Sequence, residues 1–307
     1  GGPWGSEEII SSVGPLPGLI GVAVFAIGWG LPMVLITSEL SSAYPDDGGY
    51  SIWVAEAFGP FWGFQEAYWS WLSGVIDTAI YPVLAFDTAV RILDLPTADD
   101  GRLGFAEAYS AKLAMAMLFA LPNLCATNLF GRWMTALAAF VLLPFIVQVV
   151  YTLAVRFEDA DFGTLLETRA NATWGDWGNL ISVLYWNFSG FDAVSTCAGE
   201  VRNPGRDFPR GLLLALLLIV ATYVFPLTMF TAINLPDWHG WEEGSFSEIA
   251  KVQVGQWMAL WVVASSFAAN TGMYTAEVFE DSWQLCGMAR TGLMPPIFGK
   301  RWNGDTG

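Results

Sequence analysis

Long apolar segments separated by short polar stretches make up most of the chain. A bilayer core about 30 Å thick requires roughly 20 apolar residues in each crossing helix. The segments that meet this length lie at about 15–41, 61–90, 104–125, 129–155, 177–200, 208–234 and 249–283. This pattern predicts an all-α polytopic membrane protein that forms a single transmembrane domain over residues 1–307.

The segment at 177–200 carries polar residues at its centre. Asn187, Ser189, Gly190 and Asp192 fall within six consecutive positions. A carboxylate at mid-bilayer depth costs about 2.5–3.5 kcal/mol, so it needs a partner, a cavity or a substrate. Gly190 weakens helix continuity, and unwound backbone at this depth is tolerated only where it lines protein or water. The pattern predicts a broken membrane helix at a binding site. The alternative is a kinked helix whose polar groups bond to neighbouring helices.

The segment at 61–90 carries a polar stripe. Glu66, Ser70, Ser73, Asp77 and Tyr81 follow one another at spacings of four, three, four and four residues, which places them on one helix face. We expect this face to point into the bundle, where Asp77 and Tyr81 could hold a cation in an aqueous cavity. Interhelical hydrogen bonding is the alternative interpretation.

A second stripe runs along the segment at 249–283. Ser266, Asn270, Tyr274 and Glu277 are spaced by four, four and three residues. These residues are predicted to face inward as well. For each single member, packing is favoured over ligand contact.

Composition and charge support the membrane class and exclude others. The chain is 54% hydrophobic with a mean hydropathy of +0.45, too apolar for an ordinary soluble domain. The net charge of −16 excludes a nucleic-acid-binding role on electrostatic grounds. The sequence contains no nucleophile, metal or cofactor motif, so we expect neither an enzyme nor a cofactor-binding protein.

The loops differ in charge and predict an orientation. The loop at 156–176 is rich in acidic residues, whereas the loop after the predicted broken helix carries Arg202, Arg206 and Arg210. Because positive residues mark the cytosolic side, the acidic loop is predicted to lie outside. We expect a multi-pass protein of the plasma membrane, with an endomembrane as the alternative.

Both ends of the chain suggest an incomplete domain. The start, Gly1-Gly2-Pro3-Trp4-Gly5, predicts a flexible break, with Ser6 as an N-cap and Glu7 in the first turn of a helix. The chain has no initiator Met, and its last residues are polar. We therefore expect it to be the middle of a longer protein.

Several motifs are spread along the chain. They are Gly1-Gly2-Pro3-Trp4-Gly5, Gly48-Gly49-Tyr50, Gly59-Pro60-Phe61-Trp62-Gly63, Trp71-Leu72-Ser73-Gly74-Val75-Ile76-Asp77, Tyr81-Pro82, Trp186-Asn187, Gly199-Glu200-Val201 and Met288-Ala289-Arg290. Together they resemble the amino acid-polyamine-organocation transporters, and within them most closely the polyamine uptake transporters of plants and protozoa. The resemblance covers essentially the whole chain.

The resemblance implies an inverted-repeat transporter fold of about twelve helices, with helices one and six discontinuous. The chain would then hold the second half of helix one and about seven full spans, and it would be incomplete at both ends. The implied substrate-binding residues are Gly1, Gly2, Pro3, Trp4, Gly5, Glu7, Asp77, Tyr81, Trp186, Asn187, Ser189, Gly190, Phe191 and Asp192. We infer that Asp77, Asp192 and Glu66 couple protons to transport, because a buried carboxylate can exchange a proton for a bound cation.

One departure from the family pattern concerns the ligand. Amino acid carriers of this superfamily hold a substrate carboxylate at a Gly-Ser-Gly-type break, but here Pro3 removes a backbone N–H donor and Glu7 follows closely. The site is better suited to ammonium groups, with Tyr81, Trp186 or Phe191 for cation–π contacts. We expect a proton-coupled symporter of polyamines such as putrescine and spermidine. An amino acid transporter and a non-transporting nutrient sensor are the alternatives.

Overall fold

The computed structural model describes residues 2–93 and 104–300, and within them the secondary structure is helical apart from one isolated β-bridge between Asp47 and Cys197. The α-helices in the described residues are α1 (Glu7–Val13), α2 (Pro15–Phe25), α3 (Leu31–Ala43), α4 (Tyr50–Phe58), α5 (Pro60–Thr78), α6 (Ile80–Leu93), α7 (Phe105–Ala120), α8 (Thr127–Val155), α9 (Trp174–Asn187), α10 (Pro204–Ile233), α11 (Ser245–Gln253) and α12 (Gln256–Arg290). The all-α prediction is confirmed.

Three stretches match the predicted spans closely. Among the described residues, Pro15–Ala43, Thr127–Val155 and Pro204–Ile233 are the helices long and apolar enough to cross a membrane by length and composition. The first of them joins α2 to α3 through a π-helical turn at Ala26–Gly30. Their uniform hydrophobicity made these spans predictable.

Two predicted spans are each divided between two helices. The segment at 61–90 is interrupted at Ala79, between α5 and α6. The segment at 249–283 begins inside α11 and continues in α12, and Gly255 between the two helices has a φ of +138°. Residues other than glycine rarely adopt that backbone conformation, so Gly255 permits the turn between α11 and α12. Each of these spans therefore contains a helix boundary that its hydrophobicity did not indicate.

The predicted broken helix is present, but its second half is short. Helix α9 ends at Asn187, and Gly190 has a φ of +88°. The chain then forms only two 3₁₀ turns, Ala193–Thr196 and Ala198–Glu200. The break was therefore predicted correctly, whereas the extent of α-helix over 177–200 was overestimated.

The buried core surrounds the short helix α1. Ile9 and Ile10 are fully buried and belong to one cluster with Phe188, Phe230 and Phe246. These residues come from α1, the break after α9, α10 and α11, so the core fixes both discontinuities relative to the longer helices. Helix α10 packs along α3, and α12 packs along α8, α6 and α5.

Large apolar side chains also cover the outer surface of the bundle. Ile27 is 70% exposed, Leu214 66% and Phe225 60%. Such side chains on the apolar helices are unfavourable in water but suit a lipid environment.

A junction of three chain segments closes one end of the bundle. Asp47, in the loop after α3, is almost fully buried and accepts a 2.8 Å ion-pair contact from Arg290 at the end of α12. The next residue, Gly48, donates its N–H to the carbonyl of Thr196 at 2.8 Å. Gly287 lies against the backbone of Asp47 and Gly48.

Candidate functional site

A cavity of about 460 Å³ lies where the two discontinuities meet the long helices. Its wall is formed by the segment before α1, the end of α9, and parts of α6, α8, α10 and α12. The predicted site residues on this wall are Gly2, Trp4, Gly5, Tyr81, Trp186, Asn187 and Ser189. Gly1 lies outside the described residues.

The other predicted substrate-binding residues do not line the cavity. Asp77, Asp192, Pro3, Gly190 and Phe191 are absent from its described wall. Pro3 and Phe191 are buried, and Phe191 belongs to the core cluster.

Glu7 also lies behind the cavity wall and is fully buried. Its Oε1 accepts from the backbone N–H groups of Gly244 at 3.1 Å and Phe246 at 3.5 Å. The carboxylate therefore holds the loop before α11. Ser6 does not cap α1 with its side chain; its hydroxyl donates instead to the carbonyl of Pro3 at 2.6 Å.

Asn187 connects the two discontinuities. Its Nδ2 donates to the carbonyl of Val183 at 2.9 Å and to that of Gly5 at 3.5 Å. Its own backbone carbonyl accepts from the hydroxyl of Tyr223 at 3.3 Å. The end of α9 is thus held beside the segment before α1, and both contribute to the cavity wall.

Tyr81 connects the cavity to carboxylates on α12. Its hydroxyl donates to Oε1 of Glu277 at 2.8 Å. Thr78, one turn earlier, donates to Oε2 of Glu277 at 3.1 Å and lies 3.4 Å from Oδ2 of Asp281. Tyr81 therefore forms the boundary between the cavity and a group of acidic residues.

We call this group the acidic cluster. Its members interact electrostatically with one another, and they are Glu66, Asp77, Asp192, Glu277, Glu280 and Asp281. In the described part of the chain, none of them forms an ion pair with a Lys or Arg. The three residues predicted to couple protons belong to this cluster, Glu66 interacting with Asp192 and Asp77 with Glu277, and none of them is on the described cavity wall.

The rest of the cavity wall is largely apolar. It includes Leu84, Met134, Leu137, Leu142, Leu218 and Ile219. Among the described lining residues Glu243 is the one carboxylate, and none is a Lys or Arg. The cavity thus combines an apolar body with aromatic rings and negative charge at its boundary.

A second, smaller cavity of about 220 Å³ is mainly polar. Glu8 and Asn179 lie in its wall, and Nδ2 of Asn179 is 3.4 Å from Oε2 of Glu8. His239 also lines it, and the hydrogen bond from His239 lowers the pKa of the neighbouring Asp237. Asp176 has a lowered pKa because the backbone and hydroxyl of Thr173 donate to it.

Sequence reasoning missed several acids of the site. Glu280 and Asp281 follow Glu277 at spacings of three and four residues. Acidic residues at this helical spacing within an apolar segment are the signal that could have indicated the acidic cluster. Glu277 itself was interpreted as a packing residue, whereas it accepts the hydrogen bond of Tyr81. Glu243 lies in a loop, and no local pattern indicated it.

Interrupted helices that meet at a cavity within an apolar helical bundle define the class of membrane transporters with discontinuous helices. A family model described as amino acid permease matches residues 1–306. The chain belongs to this family, within the amino acid-polyamine-organocation superfamily.

Curated relatives are similar over nearly the whole chain. The polyamine transporter PUT1 of Oryza sativa subsp. japonica is 38% identical over 98% of the chain and 54% of the relative. The polyamine transporter RMV1 of Arabidopsis thaliana is 36% identical over 98% of the chain and 59% of the relative. The glutamate/serine transporter AimA of Bacillus subtilis is 23% identical over 97% of the chain and 57% of the relative. The chain thus spans less than two thirds of the length of each of these relatives.

Proposed function

We propose that the full protein is a proton-coupled symporter of polyamines such as putrescine and spermidine. The observation that carries this proposal is the acidic cluster, whose members have no Lys or Arg ion-pair partner in the described residues and which reaches the cavity through Tyr81. Carboxylates at membrane depth need cations. A polyamine supplies several ammonium groups and no carboxylate.

The cavity wall suits the two chemical parts of such a substrate. Its apolar side chains would contact the methylene groups, and the rings of Trp4, Tyr81 and Trp186 offer faces for cation–π contacts. The segment before α1 lines the cavity through Gly2, Trp4 and Gly5, and it has one backbone N–H donor fewer because of Pro3, which disfavours a carboxylate ligand. The similarity to plant polyamine transporters favours the same substrate class.

Proton coupling would use the acidic cluster. Like charges held together in a poorly solvated site favour protonation, and an arriving cation favours ionisation. Asp77, Asp192 and Glu66 would therefore exchange protons for ammonium groups during transport.

We place the protein in the plasma membrane rather than an endomembrane, which surface labelling of the tagged protein would test.

The test is uptake of labelled putrescine and spermidine by the full-length protein in cells that lack polyamine uptake. We expect saturable uptake that a protonophore abolishes and that leucine does not inhibit. Asp77→Asn and Asp192→Asn should each abolish proton-coupled uptake, and normal transport by both variants would exclude the coupling role.

An amino acid carrier is the second candidate, because AimA is similar over almost the whole chain. Uptake of labelled glutamate or serine with no uptake of polyamines would favour it. A nutrient sensor would bind a polyamine without any flux, so direct binding to the purified protein should accompany the uptake measurement.

A further inference from the structure

The loop between α10 and α11 reaches the start of α1. The buried carboxylate of Glu7 accepts from the N–H of Gly244, although the two residues are 237 positions apart. The ring of Phe246 contacts Trp4 at a centroid distance of 6.0 Å and Phe145 of α8 at 5.3 Å. These contacts fix the backbone next to Glu243, whose side chain is exposed and lies on the cavity wall.

Glu243 and Tyr81 lie toward opposite ends of the cavity. Helices α8 and α12 run antiparallel, because Phe130 stacks on Phe279 while Leu137 approaches Gly272. Phe145 contacts Phe246, in the helix that follows the loop of Glu243, and it lies one turn beyond Leu142, the last residue of α8 that lines the cavity. Because α8 and α12 are antiparallel, this end of α8 lies beside the first cavity-lining residues of α12, and the loop of Glu243 is therefore near them.

The opposite end of the cavity lies at Tyr81, which is hydrogen-bonded to Glu277. Glu277 directly follows Ala276, and Ala276 is the last residue of α12 on the cavity wall. The α12 wall runs from Ala268 to Ala276, which corresponds to about 12 Å at the helical rise of 1.5 Å per residue. The two ends are joined by mainly apolar surface.

We infer that Glu243 binds one terminal ammonium group of an extended polyamine while the opposite ammonium lies at Tyr81. This inference rests on the proposed function and adds a determinant of substrate length. A long polyamine such as spermidine reaches both ends, whereas a simple alkylamine reaches one. The methylene groups between the ammonium groups lie against the apolar wall.

Glu242 provides a matched control within the same loop. It is also an exposed glutamate, but it lines the smaller polar cavity rather than the large one. Removing either charge changes the electrostatic attraction of the loop for cations by the same amount. A difference between the two positions therefore reports direct contact.

The experiment compares Glu243→Gln, Glu243→Asp and Glu242→Gln in the full-length protein. It measures the KM for labelled spermidine and the inhibition of spermidine uptake by butylamine. We expect Glu243→Gln to raise the KM about fivefold, the effect of one exposed ion pair. Glu243→Asp should partly restore it, and Glu242→Gln should leave it unchanged. Butylamine is expected to place its single ammonium group at Tyr81, next to the acidic cluster, so its inhibition constant should not change in any variant.

Three results would overturn the inference. An unchanged KM in Glu243→Gln, with spermidine uptake intact, would exclude the contact but leave the proposed function standing. Equal effects of Glu243→Gln and Glu242→Gln would mean general attraction by the loop. If the wild-type protein neither binds nor transports spermidine, both the inference and the proposed function fail.

Discussion

The hydroxyl of Tyr81 donates a 2.8 Å hydrogen bond to Oε1 of Glu277. Tyr81 is 94% buried and lines the cavity, whereas Glu277 belongs to the acidic cluster behind it. This contact joins Tyr81, which was predicted as a site residue from the polar stripe of the segment 61–90, to Glu277 on α12, whose role was not predicted.

Tyr81→Phe keeps the ring and removes the donor. Because a hydrogen bond to a charged group contributes about 1.5–3 kcal/mol, we expect spermidine uptake to fall roughly tenfold or more. Kinetics of the full-length protein, corrected for surface expression, measure this. Tyr68→Phe, at an exposed position of α5, should behave as wild type.

The coupling between the two residues has its own test. If the contact acts as a unit, Tyr81→Phe combined with Glu277→Gln should be little worse than either single variant. Fully additive losses in this double-mutant cycle would mean that the two side chains act independently.

Asn187→Ala should loosen the connection between the two discontinuities. The variant loses the side-chain hydrogen bonds to Val183 and Gly5. At about 1 kcal/mol for each bond, transport should fall at least about fivefold. Asn128→Ala, at an exposed position of α8, is the control and should retain full uptake. Wild-type transport by Asn187→Ala would show that the connection is dispensable.

Arg290→Ala should destabilise the folded protein because it removes the ion pair between Arg290 and the buried carboxylate of Asp47. Breaking a fully buried pair costs about 3–5 kcal/mol, but the Arg290 side chain is 41% exposed, so we expect about 1–2 kcal/mol. Thermal unfolding in detergent measures the loss. Arg210→Ala, an exposed basic residue of α10, should leave the melting temperature unchanged.

Gly287→Ala tests the close approach at the same junction. A methyl group there would collide with the backbone of Asp47 and Gly48, which we expect to cost about 1–3 kcal/mol. Gly211, in the interior of α10, has open space around its Cα, so Gly211→Ala should keep or raise stability. Equal melting temperatures for the two variants would contradict the packing described for Gly287.

The sequence predicted those parts of the fold that depend on local pattern. Pro15–Ala43 was recognisable because its hydrophobicity is continuous, and the break near Gly190 because polar residues interrupt an apolar segment. The interruption at Ala79 has no such signal, because Ala is a strong helix former and the local sequence favours a continuous helix.

The candidate site was predictable to a similar degree. The sequence singled out Tyr81 and Asn187 because polar groups at membrane depth require partners, and both residues lie on the cavity wall. Asp77 and Asp192 were placed on the substrate surface, but the structure puts them in the acidic cluster behind it. Glu243 could not be predicted, because its position depends on a hydrogen bond between residues 237 positions apart.

The junction at Asp47 has a mechanical consequence. Its carboxylate binds Arg290 of α12, while its backbone forms the bridge to Cys197 beyond the broken helix. One residue therefore joins the end of α12 to the stretch after the broken helix, in addition to the direct packing of α12 on the turn Ala193–Thr196. A displacement of one stretch relative to the other would strain the ion pair and the bridge at the same time, so the two stretches are mechanically coupled through Asp47.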